Sequence, residues 1–247
     1  MNNLVIGIQS RISSSRLPGK SLLRLEDTTV LGMCIKRALK TGFPVYLLTS
    51  ENEEDNLIAL EGENAGVNGV IRGSLTNVLG RFLSLAKIVD TNYIVRVTAD
   101  NPLTEFRFIY DLNDYLTKNQ FNYVSMNIST CPEGTNLEIF TKEALYDSLR
   151  SDKSPENLEH VTYYMKKISH NKQFLIENKL GYKKNDYEKI SFTIDNLEDY
   201  INVANIIKKV KQEYKCEYFS KDFVRLSSQY IKSKGRIFLK KRNHPLK

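Results

Sequence analysis

The chain has 247 residues, 41 % hydrophobic and 26 % charged, an ordinary globular composition with length enough for one large α/β domain and a real core. It contains no run of about 18 apolar residues, so no membrane-spanning helix is expected, and Cys34, Cys131 and Cys216 form no CxxC pair, which speaks against a disulfide framework or zinc site and suits a reducing cytoplasm. The formal charge of +7 is local: the chain beyond Asp222 carries +8 and no acidic residue, leaving −1 for everything before it, so the tail reads as a solvated or partner-facing end, with attraction to a membrane surface or polyanion as the lesser reading, and no nucleic-acid partner is expected.

The opening MNNLVIGIQSR lacks a basic n-region and a long apolar run and reads as a first strand, Leu4–Gln9, rather than a secretory signal. Apolar runs and amphipathic stretches then alternate. Val30–Lys40 has helical spacing and Val45–Thr49 is a strand. Glu53–Asn64 is a helix whose acidic start suits the helix dipole. Val67–Arg72 is strand-like, Thr76–Val89 a helix, Tyr93–Val97 a strand, Phe106–Leu116 a helix and Phe121–Met126 a strand. This β-α rhythm predicts a doubly wound, mostly parallel sheet with helices on both faces and right-handed crossovers. The rhythm then loosens. Leu137–Phe140 and Ile190–Ile194 are predicted strands flanking a helical stretch, Glu156–Ile168, and Leu197–Tyr214 is a long helix. We read residues 1–222 as the catalytic body, with a small subdomain for substrate or dimerisation near 130–185. Residues 223–247 form a basic extension: Phe223, Val224, Leu226, Tyr230 and Ile231 are spaced like one packed helix face, Ile237–Leu239 are strand-like, and Lys240–Lys247 are expected in solvent.

In such sheets ligands bind beyond the carboxyl ends of the strands, which directs attention to three loops: 10–20, 72–77 and 98–102. The first, QSRISSSRLPGK (9–20), packs Arg11, Arg16 and Lys20 among serines and a glycine. Small residues let backbone N–H groups approach phosphates while cations neutralise them; a solvated basic loop is the alternative. Neither GxxxxGK[ST] nor GxGxxG occurs. Asp100 and Asp195 each follow a predicted strand. They are either turn and capping residues or two carboxylates that meet at one sheet edge. Arg72, Gly73 and Asn77 bracket a turn, to contact ligand or to cap the next helix. Glu159 and His160 either orient a substrate or act as acid and base, or are structural.

Taken in order, six segments resemble the SpsF-type cytidylyltransferases, relatives of the enzymes that make CMP-activated sugar acids. QSRISSSRLPGK resembles their first loop; RGSLTNVLGR (72–81) resembles RGSxxDVLxR; RVTADNPL (96–103), PEGTNLEIF (132–140), EHVTYY (159–164) and TIDNLEDY (193–200) match later blocks. Ser13 stands where the family has glycine, Asn136 replaces an aspartate, and Asn196 and Leu197 replace a Thr-Pro pair. The resemblance implies a GT-A-like nucleotidyltransferase fold and a homodimeric enzyme. It would transfer CMP from CTP to a sugar acid or related small acceptor, release pyrophosphate and depend on Mg²⁺, for glycan assembly. It further implies Asp100 and Asp195 as metal ligands and Lys20, Arg16 and Asp100 as catalytic residues. Gln9, Ser10, Arg11, Arg16, Lys20, Arg72, Gly73, Asn77, Thr98 and Ala99 would bind nucleotide, and Glu138, Glu159 and His160 the acceptor. Two other readings share the fold: a glycosyltransferase using a nucleotide-sugar donor, for which the D-x-D motif is missing, and a cytidylyltransferase acting on a sugar or polyol phosphate.

Overall fold

A computed structural model of the chain describes residues 3–127, 130–168, 173–174, 190–220 and 222–233. The buried run β1 (Leu4–Gln9) leads into the loop 10–20, and a two-stranded ribbon, β2 (Arg24–Leu25) and β3 (Thr28–Thr29), follows. α1 (Val30–Leu39) starts there because the Thr29 side chain accepts from Gly32 N, the capping geometry that short hydroxyl residues favour. β4 (Val45–Ser50), α2 (Asn56–Ala65), β5 (Gly69–Gly73), α3 (Val78–Ile88), β6 (Tyr93–Thr98), α4 (Ile109–Lys118) and β7 (Tyr123–Met126) continue the expected alternation. β8 (Glu138–Thr141), α5 (Lys142–Ser151), α6 (Pro155–His160), α7 (Tyr163–Ile168), β9 (Gln173–Phe174), α8 (Leu197–Tyr214) and α9 (Phe223–Ser233) complete the described chain.

The strands form one seven-stranded sheet in the order β5-β4-β1-β6-β8-β7-β9. β1 is parallel to β4 and β6, and β4 to β5; β8 runs antiparallel between β6 and β7. The sheet is therefore mostly parallel, with helices on both faces. One core cluster joins Ile6, Ile8, Val95 and Val97 to α1 and α4; a second joins Val5, Ile94 and Phe140 to α3, α5 and Met165. A third lies beyond the first layer, where α8 and α9 pack on Met33, Leu25 and Leu103. Phe223, Val224 and Ile231 of α9 are at most 4 % exposed, so this helix is part of the core, as its apolar spacing predicts. Ile237–Leu239 and Lys240–Lys247 lie outside the described residues, as does much of the 130–185 subdomain beyond Ile168.

Two expectations need correction, and the β2–β3 ribbon and α5 were not expected. Ile190–Ile194 does not form a strand of the sheet: it makes a single bridge, Ser191 with Glu133. It runs extended because Phe192 N donates to Glu133 O (2.8 Å) and Ile194 N to Asp100 O (2.9 Å), both loop partners, so no ladder develops, although Ile190, Phe192 and Ile194 are buried. The predicted helix Glu156–Ile168 is two helices, broken at Val161, where φ is +49° and ψ −55°. And α5 escaped the sequence reading, its buried face being only Ala144, Leu145 and Ser148.

Candidate active site

The loop after β1 is shaped by its own backbone and by one buried acid. Gly19 N donates to Ile12 O at 2.9 Å, closing the loop. Gly19 takes φ +71°, a left-handed conformation that glycine adopts without a Cβ penalty, and this turn sends Lys20 inward. Ile12 N donates to Asp55 Oδ1 (2.7 Å), and Asp55 also accepts from the Ser50 hydroxyl. Asp55 is 1 % exposed and thus ties the loop to the start of α2. Its only trace in the sequence is the acidic helix start. Ser10 Oγ donates to Ser21 Oγ at 2.9 Å, a further brace.

Lys20 Nζ lies at the centre of the constellation. It donates to Asp100 Oδ2 (2.7 Å), to the Ile194 carbonyl (2.7 Å) and to Asp195 Oδ1 (3.1 Å), and the residue is 8 % exposed. Arg16 Nη2 reaches the same Asp195 oxygen at 2.8 Å. The bond from Ile194 N to the Asp100 carbonyl welds the two aspartate-bearing segments together. The capping alternative falls to the neighbour: Asn196 caps α8, in a reciprocal capping box with Asp199, and Asp195 faces the two cations. Lys20, Arg16, Asp100 and Asp195, spread over 180 residues of sequence, are thus brought together.

A second cluster covers the polar end of the sheet. Glu138 Oε2 accepts from Arg96 Nη1 (2.7 Å), while Oε1 accepts from the Tyr123 hydroxyl (3.1 Å) and pairs with Lys166 Nζ (2.6 Å). The Thr162 hydroxyl adds a bond at 3.2 Å to Oε2. Burial pushes the Glu138 carboxyl up, but Lys166 and Arg96 overcome it and hold it well below the ordinary carboxylate range. Burial, then the Glu138 charge, push the Tyr123 phenol well up. Arg96 Nε also donates to Gln9 Oε1 at 2.9 Å, which fixes that amide with its N–H₂ turned away from Arg96. Arg96, Lys166, Tyr123 and Thr162 were missed as site residues. Only the motif RVTADNPL and the EHVTYY block marked two of them.

Arg11 Nη2 pairs with Glu159 Oε1 at 2.9 Å, linking the first loop to α6. Glu159 and exposed His160 end α6, and the His160 carbonyl accepts from Thr162 N around Val161. This is a γ-turn with positive φ, a rare and strained form. Beneath the loop, Arg81 is 2 % exposed and donates to the Leu48 carbonyl; burial first and the Arg11 charge second push its guanidinium down to about 10.

The remaining sequence-predicted residues stand outside these networks. Arg72 is committed to the turn after β4, donating to Ser50 O, Asn56 Oδ1 and Asn52 O at 2.6–2.8 Å. Gly73 O accepts from Glu51 N. Asn77 caps α3, accepting from Gly80 N at 2.8 Å. Thr98 Oγ1 accepts from Asn101 Nδ2 at 2.6 Å, and Ala99 N donates to Gln9 O at 3.0 Å; both flank Asp100 at the end of β6. Among the described residues, no group of three or more His, Cys, Asp or Glu gathers as a metal cage. Two carboxylates and a carbonyl around one ammonium do form an all-oxygen cation site. That set suits Mg²⁺, which takes one or two carboxylates and completes its shell with phosphate oxygens and water.

A family profile described as Cytidylyltransferase matches residues 5–228. The chain belongs to the cytidylyltransferase family. This cytidylyltransferase is 37 % identical over 201 residues to the Methanocaldococcus jannaschii protein MJ1063, covering 79 % of this chain and 80 % of that one. It is 29 % identical over 220 residues to the Bacillus subtilis spore coat polysaccharide biosynthesis protein SpsF, covering 85 % and 88 %. Among solved structures, a cytidylyltransferase from Leptospira borgpetersenii superposes with a TM-score of 0.82 at 28 % identity, covering 99 % of this chain and 100 % of that one. CMP:2-keto-3-deoxy-manno-octonic acid synthetase, solved with CTP, shares the fold at a TM-score of 0.59 and 15 % identity, covering 84 % and 99 %. The cytidylyltransferase is thus a CTP-using nucleotidyltransferase with the α/β fold of its family, and none of its described helices is long and apolar enough to cross a membrane.

Proposed function

We propose that this enzyme transfers CMP from CTP to a sugar acid or a closely related acceptor, with Mg²⁺, for surface-polysaccharide or glycan assembly. The observation that carries the reading is the convergence of Lys20, Arg16, Asp100 and Asp195 at the carboxyl ends of the strands. An acceptor oxygen attacks the α-phosphorus in line. The bond from that phosphorus to the bridging oxygen breaks, pyrophosphate leaves, and the acceptor's hydroxyl proton passes to a base, for which Glu159 and His160 are the candidates.

Lys20, Arg16 and Arg11 hold the triphosphate through charge-assisted bonds. Asp100 and Asp195 would hold Mg²⁺, which when bound neutralises charge developing on the phosphate oxygens. The Gln9 amide, its orientation fixed by Arg96, offers N–H groups to a ligand oxygen. Positioning and electrostatics supply most of the effect. Supporting the acceptor class, 3-deoxy-manno-octulosonate cytidylyltransferase of Haemophilus influenzae is 27 % identical over 122 residues, 49 % of this chain, and SpsF is named for polysaccharide biosynthesis.

The test is a pyrophosphate-release screen of four nucleoside triphosphates against sugar acids, sugar phosphates and neutral sugars, with and without EDTA. CTP with a sugar acid should turn over and EDTA should stop it. Asp195→Asn should lower kcat by on the order of a hundredfold or more, the scale of losing one preorganised electrostatic group. Preference for UTP, or consumption of a UDP-sugar without pyrophosphate, would overturn the reading.

A further inference from the structure

Lys20 is asked to do two things that one ammonium does not do at once. A lysine ammonium has three N–H donors and no acceptor. The three oxygen partners of Lys20 are Asp100, Ile194 and Asp195, and in that arrangement none of its N–H groups is left for a phosphate. The same three contacts fill the space between the carboxylates, where a metal ion would need to sit. Two carboxylates within reach of one point repel each other unless a cation stands between them, and here the chain supplies that cation itself.

The charges point the same way. Lys20 and Arg16 balance Asp100 and Asp195 to zero. A divalent ion entering alone would raise the cluster to +2 and meet two cations with no other anion to follow. A triphosphate entering with it brings the anion that both cations can follow. Lysine suits such a transfer, being a compact charge on a flexible four-carbon stem, and the left-handed turn at Gly19 anchors the base of that stem.

We propose that Lys20 is an internal counter-ion that keeps the Asp100–Asp195 pair closed in the free enzyme and is exchanged for the metal when nucleotide binds. Its ammonium swings to the phosphates, and the carboxylates open to Mg²⁺. Metal and nucleotide affinities are then coupled, each raising the other by the same factor. The inference rests on the Mg²⁺ reading above and adds a condition to it: without nucleotide the site refuses metal.

The test measures Mn²⁺ binding to the full chain by electron paramagnetic resonance, without and with CTP. Without CTP, Lys20→Met should bind Mn²⁺ about ten- to a hundredfold more tightly than wild type, the scale of removing a competing charge-assisted contact. Lys20→Met combined with Asp195→Asn should lose that gain, and Lys20→Arg, which keeps the counter-ion, should bind as weakly as wild type. Arg16→Met should change affinity by less than about threefold, because Arg16 is 57 % exposed in its side chain and exposed pairs are weak. If Lys20→Met is unstable in EDTA, recovery of its melting temperature with Mn²⁺, with no such shift in wild type, is the same result read on stability. Equal Mn²⁺ affinity of wild type and Lys20→Met, alongside CTP-dependent binding that Asp195→Asn weakens, overturns the exchange and leaves the metal reading intact. Mn²⁺ binding no tighter than to free CTP in every variant sinks both.

Discussion

The ion pairs around Lys20 and those around Glu138 share a dry centre, Lys20 being 10 % and Glu138 6 % exposed in the side chain, and differ in the outer partners that surround it. Around Lys20, Arg16 is 57 % exposed in its side chain, Arg11 37 % and Glu159 45 %. On the sheet side, Glu138 is 6 % exposed in its side chain and takes bonds from Arg96, Lys166, Tyr123 and Thr162. A pair that a ligand must break has to stay weak and reachable, and exposed pairs are worth about 0–1 kcal/mol. A buried carboxylate with every lone pair used is costly to disturb, and it holds its neighbours where they are. The outer arms of the first cluster, Arg16, Arg11 and Glu159, are therefore suited to exchanging partners, and the second cluster to keeping them.

The comparison breaks most readily at Glu138. Arg96→Met combined with Lys166→Met should destabilise the fold by about 3–5 kcal/mol in urea titrations, because together they leave the buried Glu138 charge unpaired; Lys166, still paired with Glu138 at 2.6 Å, should keep Arg96→Met alone below that range. The depressed Glu138 carboxyl gives the pH signature. Its stabilising contribution is complete above the unfolded value of about 4.3 and is lost as pH falls below that, through the lower native value. Urea midpoints should fall in that acid window for wild type, and the fall should shrink in Glu138→Gln. A flat profile in wild type would place Glu138 among the exchangeable pairs.

Val161 joins the two clusters, with Glu159 on one side and Thr162 on the other. It is fully buried yet has φ +49°, strain of order 1–3 kcal/mol for a branched residue. Val161→Gly and Val161→Ala both lose the packed side chain, but only glycine sheds the strain. Thermal melts should show the glycine variant at least as stable as the alanine one, reversing the usual order in which glycine is worse by roughly 0.5–1 kcal/mol. Alanine winning by that margin would mean the turn is relaxed.

The smallest effect is expected at Arg11 and Glu159. A double-mutant cycle with Arg11→Met and Glu159→Gln should give a stability coupling under about 1 kcal/mol, as befits a pair this exposed. A coupling above about 2 kcal/mol would move this pair to the fixed side of the comparison.

Apart from the short β2–β3 ribbon, the order of elements from β1 to β7, the long helix α8 and the packed face of α9 were legible in the sequence, because apolar periodicity is a local property and survives without knowledge of the partner. The candidates Lys20, Arg16, Asp100 and Asp195 were legible too, as cations in a small-residue loop and acids at strand ends, and a resemblance over six segments tied them together. What periodicity does not carry is direction and partner. That β8 inserts antiparallel between β6 and β7 depends on which strand edge was free when the chain returned. It sets Glu138 directly opposite Arg96, a pairing neither residue's neighbours announce. Asp55 under the loop, the break at Val161 and the strand-like run at Ile190–Ile194 that pairs with loops belong to the same class. So does the contact of Lys20 with Asp195, 175 residues away: the composition of each segment made it possible, and only the closing of the sheet brought the charges within hydrogen-bond distance, where their mutual attraction outweighs the loss of water.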